Sequence, residues 1–289
     1  MCRDGRTRRL DPRRCRLRGG RLSLRSVGTA LQVSLQRLGG PARRRFGVPP
    51  RGPIDPTSHR LALALAGLSP DASAYELFLP SVLTGELEVD SMVSVVGCDT
   101  QVTIDARALE ENRSFWLRAG TTMQVKVLAR GTAYVAIQPG CRLAEVRLAE
   151  RSPSLAIGPI RILAGPQWSS ELDLTSREFG VGPLADRMGL RLGPDVRPHQ
   201  ISIASEPTTV GAVQWTPSGE LIVLGPDGPT LGGYPKPAVL ARADLTRLGQ
   251  LGLRPFEFEW INRDQAAEMR QQAEANLAAL LRAISYRVR

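Results

Sequence analysis

The chain has 289 residues, of which 42% are hydrophobic and 23% are charged, a composition typical of one large or two modest globular domains. Its formal net charge is +10, but residues 1–25 hold ten arginines and two aspartates, so the rest of the chain carries only +2. The absence of a long apolar run excludes a membrane-spanning helix, and two histidines are too few for a multi-histidine metal site.

Residues 1–26 are predicted to form a basic, disordered arm. Its arginines could neutralise the phosphates of RNA or DNA, or bind an acidic surface. The arm contains no aromatic residue that could stack on a base, and it lacks the apolar segment of a signal peptide. We therefore expect an extension without a dedicated partner, neither nucleic acid nor membrane as a partner, and a cytoplasmic location.

The four cysteines, at positions 2, 15, 98 and 141, fit no zinc or redox spacing. This spacing predicts a reducing compartment and no structural metal. Cys98 ends an apolar run without a histidine nearby in sequence, so a core position is favoured over a nucleophilic role.

The first half of the chain reads as short strands with one early helix. Asp55 followed by Pro56 is typical of a helix start, and the helix predicted over residues 57–66 ends at Gly67. The alternation and β-branched content of the sequence predict strands at residues 30–38, 87–96, 100–105, 121–128 and 132–137. Short strands in this number favour a barrel or a sandwich over a wound α/β sheet.

The second half repeats this character after a polar, irregular stretch at residues 140–159. Strands are predicted at residues 160–164, 201–204, 211–216 and 220–224, with a tight turn at 217–219. An amphipathic C-terminal helix follows, capped by Asn262 or Asp264. Its apolar face is predicted to comprise Ala266, Met269, Ala273, Leu277, Leu280, Leu281 and Ile284.

An internal sequence repeat supports two related domains. Phe46-Gly47-Val48 is followed by a Gly-Pro-aliphatic triplet, and the same pattern recurs from Phe179, 133 positions later. The predicted organisation is therefore a basic arm over residues 1–26, one β domain over 27–150, a second over 151–262, and a helix over 263–289. The fold class is mainly β.

The stretch from residue 225 to residue 239 is crowded with glycine and proline, which restrain its backbone. It contains Asp227, Thr230, Tyr234 and Lys236, and the last of these is one of two lysines in the chain. Two readings fit this loop: part of a functional site, or a structural double turn between strands.

Several other polar residues likewise have both a functional and a structural interpretation. Asp186-Arg187 lies in a glycine-bounded loop, where Arg187 could donate to a substrate carboxylate or amide, or form a surface ion pair. Glu206 and Asp99 follow strands and could be functional acids or turn-closing ones. Gln214 lies within a strand and faces either solvent or a cleft. The sequence contains neither a P-loop nor a serine nucleophile elbow.

Six stretches in colinear order over residues 30–260 resemble the biotin-dependent carboxyltransferase-like family. This family includes the C component of 5-oxoprolinase, the second subunit of allophanate hydrolase, KipA-type proteins and the carboxyltransferase domain of urea amidolyase. The matching stretches are residues 46–55, 96–99, 186–192, 205–206, 211–214 and 227–236, with Asp186-Arg187-Met188-Gly189 and Gly232-Gly233-Tyr234-Pro235-Lys236 the most specific.

The resemblance implies two tandem cyclophilin-like β-barrels with a few short helices. It implies a subunit of an ATP-dependent amide or lactam hydrolase of the 5-oxoprolinase type, with ATP held by the complex and no metal. The implied partners are a small homologous subunit, which is the KipI-like B component of 5-oxoprolinase, and a LamB/YcsF-like A component. The implied catalytic residues are Asp55, Asp186 and Glu206, and the implied substrate-binding residues are Asp99, Arg187, Gln214, Asp227, Thr230, Gly232, Gly233, Tyr234 and Lys236.

The sequence departs from the family pattern in residues 227–231, where an Arg, a Gln and a Thr of the pattern are absent, and in residues 34–40. Two further hypotheses therefore stay open. One is a non-catalytic binding or regulatory partner of a KipI-like subunit. The other is carboxyl transfer from carboxybiotin to a urea-like substrate, although no Met-Lys biotin attachment motif is present.

Overall fold

A computed structural model of the chain describes residues 24–29, 33–78, 80–128, 131–148, 158–251 and 254–288. Within these ranges the chain is mainly β with few helices, as predicted. None of the helices in these ranges is long and apolar enough to cross a membrane. Most of the predicted arm, with Cys2 and Cys15, lies outside the described residues, and the first described strand begins at Leu24.

The strands of the first half form two five-stranded antiparallel sheets. One sheet has the order β1-β4-β9-β6-β7, and the other has the order β2-β3-β10-β5-β8. The strands are β1 Leu24–Thr29, β2 Val33–Gln36, β3 Ala74–Phe78, β4 Ser81–Leu87, β5 Ser91–Gly97, β6 Thr100–Ile104, β7 Arg107–Leu109, β8 Arg113–Leu117, β9 Thr122–Val127 and β10 Thr132–Pro139.

Strand β10 shows why this half packs as it does. Its side chains alternate between two apolar clusters, because successive residues of a strand point to opposite faces. Ala133, Val135 and Ile137 enter the core between the two sheets. Tyr134 and Ala136 enter a second core, on the outer face of the same sheet. The sheet is covered on both faces, so its central strands are almost continuously buried.

Two helices cover that outer face: α1, Pro56–Leu65, and α3, Arg263–Val288. Asp55 caps α1, as predicted, by accepting hydrogen bonds from the backbone N–H groups of Thr57 and Ser58. Asn262 caps α3 in a reciprocal box, because its Oδ1 accepts from the N–H of Gln265 while its own N–H donates to the Gln265 side chain. The residues of α3 that pack against α1 and its sheet are Leu277, Leu280, Leu281, Ile284 and Val288.

The second half is a closed seven-stranded barrel with the order β11-β18-β15-β16-β13-β12-β19. Its strands are β11 Ile160–Ala164, β12 Glu178–Val181, β13 Gly189–Gly193, β15 Ala212–Trp215, β16 Leu221–Leu224, β18 Ala238–Leu240 and β19 Phe256–Trp260. A separate short pair, β14 Glu206–Pro207 with β17 Leu231–Gly232, lies outside the ring. Trp215 and Phe179 are among the largest side chains in the barrel core.

A short helix, α2 Leu245–Leu251, joins the barrel to the first half. Gln250 donates to Asp55 at 2.6 Å, and Thr132 donates to the carbonyl of Gly249 at 2.7 Å. A Cβ on Gly249 would lie 2.7 Å from Ile54, so only glycine allows this close approach. Cys98 is buried here, as predicted, and donates to the carbonyl of Gln250.

Several predicted elements need correction. Residues 201–204 are not a strand, because this segment carries no strand pairing and lies beside the loop that holds β17. The strand predicted at 87–96 is two strands, since residues 88–90 form the turn between β4 and β5. Several described strands and the turn of 3₁₀ helix Pro41–Phe46 were not predicted. The domain boundaries stay predictions, with residues 149–157 outside the described ranges.

The two copies of the internal sequence repeat do not occupy equivalent positions in the two halves of the structure. Phe179 lies in strand β12 and is 1% exposed, whereas Phe46 ends the 3₁₀ turn and is 69% exposed. The aliphatic residue of each triplet also differs, because Ile54 is buried and Leu184 projects into solvent. The same three-residue motif therefore begins in the barrel core at Phe179 and at the protein surface at Phe46.

We expect Phe179→Ala to lower the free energy of unfolding by about 3–5 kcal/mol, because a buried phenyl ring leaves a cavity when truncated. Phe46→Ala is the matched control and should change stability by less than about 0.5 kcal/mol, as exposed substitutions usually do. Urea titration followed by tryptophan fluorescence measures both values. Equal losses for the two variants would contradict these assigned environments.

Candidate functional site

The side chain of Arg187 joins the two halves of the molecule. Its guanidinium pairs with the carboxylate of Glu76 on β3, donates to the carbonyl of Gly52 at 2.8 Å, and forms a bidentate pair with Asp227 at 2.7 and 3.2 Å. A planar guanidinium suits this arrangement because its five N–H groups form a fixed fork. The backbone N–H of Arg51 adds a bond to the carbonyl of Pro226 at 2.9 Å.

Glu76 is fully buried, and Arg187 is its counter-ion. Burial raises the pKa of the Glu76 carboxyl, while Arg187, Tyr134 and the N–H of Ile54 oppose that rise by binding the carboxylate. The network continues from Glu76 to the hydroxyl of Tyr134, which accepts from the N–H of Asp55 at 2.8 Å. A chain of polar contacts thus runs from α2 through Asp55, Tyr134 and Glu76 to loop 225–239.

A second polar cluster lies at the other end of this loop, which we call the Lys236 cluster: Gln167, Glu206, Tyr234 and Lys236. The ammonium of Lys236 lies 2.9 Å from Oε1 of Glu206 and donates to the carbonyl of Tyr234 at 3.0 Å. Gln167 donates to the same Glu206 oxygen at 2.9 Å and accepts the N–H of Lys236. The side chain of Lys236 is 3% exposed, whereas that of Glu206 is 36% exposed.

This arrangement presents one ionised carboxylate to solvent. The hydrogen bond from Lys236, followed by that from Gln167, lowers the pKa of Glu206, so the group stays charged at neutral pH. Because Lys236 is paired and enclosed, its charge supports Glu206 and does not face solvent. The cluster therefore offers a hydrogen-bond acceptor, suited to the N–H of an amide or a urea-like group.

Gln214 and Gly232 line the same end of the barrel. Gln214 is buried on β15, and a Cβ on Gly232 would lie 2.5 Å from its side-chain nitrogen. Gly232 pairs with Glu206 across β14 and β17, which brings the amide of Gln214 beside the Lys236 cluster. A larger residue at position 232 would therefore require the end of the Gln214 side chain to shift.

The structure gathers some predicted residues and separates others. Gln214, Gly232, Tyr234, Lys236 and Glu206 lie together at the loop's C-terminal end. Gly233 lies beside Ser205, and Thr230 accepts the N–H of Thr208 through its carbonyl. Arg187 and Asp227 lie at the N-terminal end.

Of the remaining predicted acids, Asp55 and Asp186 use their carboxylates within the local structure. Asp55 is buried, with its carboxylate used by the α1 cap and Gln250. Asp186 is exposed, and its Oδ1 accepts the N–H groups of Met188 and Gly189. Asp99 is exposed at a positive φ of 54°, and its carbonyl accepts the N–H of Leu128. The catalytic roles of Asp55, Asp186 and Glu206 stay predictions.

Sequence reasoning missed four residues of these networks: Glu76, Tyr134, Gln167 and Gln250. Glu76 is an acid within the otherwise apolar strand β3, and such a residue signals a buried pair. Gln167 follows Gly165-Pro166 after strand β11, where polar side chains often serve a site. Tyr134 and Gln250 carried no comparable signal, because nothing local distinguishes them from ordinary core and helix residues.

Both cations are engaged within the protein. Arg187 directs four of its five N–H groups at Glu76, Asp227 and Gly52, and Lys236 directs two of its three at Glu206 and Tyr234. Among the described residues, no group of three or more His, Cys, Asp or Glu side chains could hold a metal ion.

We expect Arg187→Met to destabilise the protein by about 3–5 kcal/mol at pH 8, because Glu76 would stay buried without its counter-ion. Loss of the opposing charge raises the pKa of Glu76 further above its unfolded value. The folded state then binds more protons than the unfolded one, so the variant regains stability as the pH falls from 8 to 5.

The double variant Arg187→Met, Glu76→Gln should be less destabilised and should lack the added pH dependence. Urea unfolding of the wild type, the Arg187→Met and Glu76→Gln single variants and the double variant at several pH values gives the coupling energy. The ion pair would be contradicted if Arg187→Met lowered the free energy of unfolding by the same amount at every pH, and by the same amount with and without Glu76→Gln.

Comparison with known proteins agrees with this architecture. The sequence model of the family "Carboxyltransferase domain, subdomain A and B" matches residues 46–149 and 146–259. The chain is 25% identical to the C component of 5-oxoprolinase from Escherichia coli, over 87% of this chain and 95% of that protein. It is 27% identical to the same component from Haemophilus influenzae, over 88% and 96% respectively.

The crystal structure of the Kluyveromyces lactis urea carboxylase shares the fold, with a TM-score of 0.77 and 20% sequence identity. That match covers 90% of this chain but only 29% of the urea carboxylase chain. The family match covers well over half of the sequence and includes both polar clusters described above. The chain therefore belongs to the carboxyltransferase domain, subdomain A and B, family.

Proposed function

We propose that this protein is a subunit of an ATP-dependent amide or lactam hydrolase complex of the 5-oxoprolinase type. The observation that carries the proposal is the Lys236 cluster, in which Lys236 and Gln167 hold the carboxylate of Glu206 charged and partly exposed. Two relatives that match over nearly their full length are named as the C component of 5-oxoprolinase, which supports the same assignment.

In this proposal the substrate is a small amide or lactam. Glu206 accepts a hydrogen bond from the amide N–H, and Gln214 is the neighbouring polar group that could bind the carbonyl. Lys236 and Gln167 act behind Glu206, where they fix its position and its charge. Asp186 shapes the loop that carries Arg187, because its carboxylate binds two backbone N–H groups of that loop.

ATP is assigned to the complex and not to these residues, because Arg187 and Lys236 are already ion-paired within the protein. The proposed partners are a small homologous subunit, which is the KipI-like B component of 5-oxoprolinase, and a LamB/YcsF-like A component. The proposed location is the cytoplasm.

A second candidate is a non-catalytic binding or regulatory partner of a KipI-like subunit. It is favoured by the engagement of two candidate acids in local structure, Asp55 in the α1 cap and Asp186 in its own loop. Turnover by the assembled complex separates the two candidates.

We expect the chain, co-expressed with the small homologous subunit and the LamB/YcsF-like component, to yield a complex that releases phosphate only when 5-oxoproline and ATP are both present. A coupled phosphate assay on the purified complex measures this release. The complex assembled without this chain is the control. A stable complex that shows no 5-oxoproline-dependent release would support the regulatory candidate.

We expect Glu206→Gln to reduce kcat/KM of the complex roughly ten- to hundredfold, because a charged hydrogen bond contributes about 1.5–3 kcal/mol. Glu220→Gln is the matched control, since Glu220 is also an ion-paired acid of the barrel but pairs with Arg191, outside both polar clusters. Steady-state kinetics at pH 7.5 with both variants gives the comparison. If the Glu206→Gln complex showed wild-type kinetics, the assignment of Glu206 to the site would be wrong.

A further inference from the structure

Large apolar side chains are exposed around loop 225–232. Of the five most exposed large hydrophobic residues in the described chain, four lie on this loop or on segments that contact it: Phe46 at 69%, Leu184 at 75%, Met188 at 54% and Leu231 at 57%. Single exposed apolar residues are ordinary, but a concentration of them on adjoining segments typically marks an interaction surface.

Backbone contacts bring these segments together. The carbonyl of Met188 accepts the N–H of Gly225, and the N–H of Arg51 donates to the carbonyl of Pro226. Leu231 pairs with Pro207, and the adjacent Thr208 accepts a hydrogen bond from Arg44. The 3₁₀ turn that carries Phe46 therefore rests on the second barrel, beside the loop that carries Leu231. Both halves of the molecule contribute to the surface.

The 3₁₀ turn and the segment that follows it are also basic. Arg43 and Arg45 are exposed on the 3₁₀ turn, and the guanidinium of Arg45 lies 4.7 Å from the centre of the Phe46 ring. Arg51 follows in the same segment and is exposed. None of the ion pairs found in the described parts of the chain involves these three arginines.

We propose that this surface, defined by Arg43, Arg45, Phe46, Leu184, Met188 and Leu231, docks a protein partner that presents an apolar centre with acidic residues around it. Aromatic residues, methionine and arginine are the residue types enriched at protein interfaces, and clusters of them dominate binding energy. The inference rests on the proposed function, in which this chain works as one subunit of a complex.

Two other occupants fit less well. A second copy of this chain would bring the same unpaired arginines against these, and like charges across an interface oppose association. Nucleic acid would use the arginines but leave Leu184, Met188 and Leu231 unburied, since phosphate binding needs no aliphatic contact. An acidic protein face uses both components of the surface.

The docking surface adjoins the candidate site without being part of it. Met188 follows Arg187 directly, and Leu231 precedes Gly232 in the loop that leads to Lys236. A partner seated on these side chains would cover the loop that carries both polar clusters. Arg43, Arg45 and Phe46 belong to neither cluster, so they can be changed without altering the candidate site.

The test uses the full chain, with the small homologous subunit encoded in the same genome as the probe. Binding is measured by biolayer interferometry for the wild type, Phe46→Ala and the double variant Arg43→Glu, Arg45→Glu. Tyr286→Ala and Arg270→Glu, which change exposed residues of α3, are the matched controls. Thermal melts check that each variant is folded.

We expect the Phe46 and arginine variants to weaken binding at least tenfold, the arginine effect to shrink in high salt, and the α3 controls to bind as the wild type does. If these variants bound the small homologous subunit as tightly as the wild type does, the docking surface would be overturned and the proposed function would be left standing. Failure of the wild type to bind the small homologous subunit would overturn the proposed complex, and with it this inference.

Two further measurements address the other occupants. Sedimentation of the chain alone should show a monomer, and a dimer lost in Phe46→Ala would overturn the proposal in favour of a second copy. A single-stranded RNA of about twenty nucleotides should not compete with the small homologous subunit. Competition that disappears in the Arg43→Glu, Arg45→Glu variant would overturn the proposal in favour of nucleic acid.

Discussion

The buried ion pair between Glu76 and Arg187 is the interaction on which the relation of the two halves depends. Glu76 lies on strand β3 of the first half. Arg187 lies on a loop of the barrel and also binds Asp227. A carboxylate taken out of water needs a matched counter-ion and further hydrogen bonds, and here Arg187, Tyr134 and Ile54 supply them. The pair fixes where loop 225–239 begins relative to the first half.

From that point the loop leads to the second polar cluster. Its backbone is restrained by prolines and by ion pairs near both ends, at Asp227 and at Lys236. The same loop carries Leu231 on its outer side and pairs with the β14 segment that holds Glu206. One short segment thus contributes to the joint between the halves, to the candidate site and to the docking surface.

The sequence was most informative where chemistry is local. Asp55 followed by Pro56 determined a helix start, and the alternation of apolar residues identified several strands of both halves. It was least informative where the partner is distant. Residues 201–204 have the apolar alternation of a strand but carry no pairing, and pairing is what decides a strand. Phe46 and Phe179 have matching neighbours in sequence and opposite environments, because burial depends on what packs against a residue.

By itself, the sequence determined the mainly β class, the cap of α1, the restrained loop at 225–239 and the residues that mark the family. Those features depend on backbone preferences and on side chains a few positions apart. Only the tertiary structure decided that Arg187 binds Glu76, 111 positions away, that Lys236 is enclosed with Glu206, and that Asp55 is joined to Gln250 from the other half. Each of these depends on desolvation and on the geometry of distant partners, which no local pattern encodes.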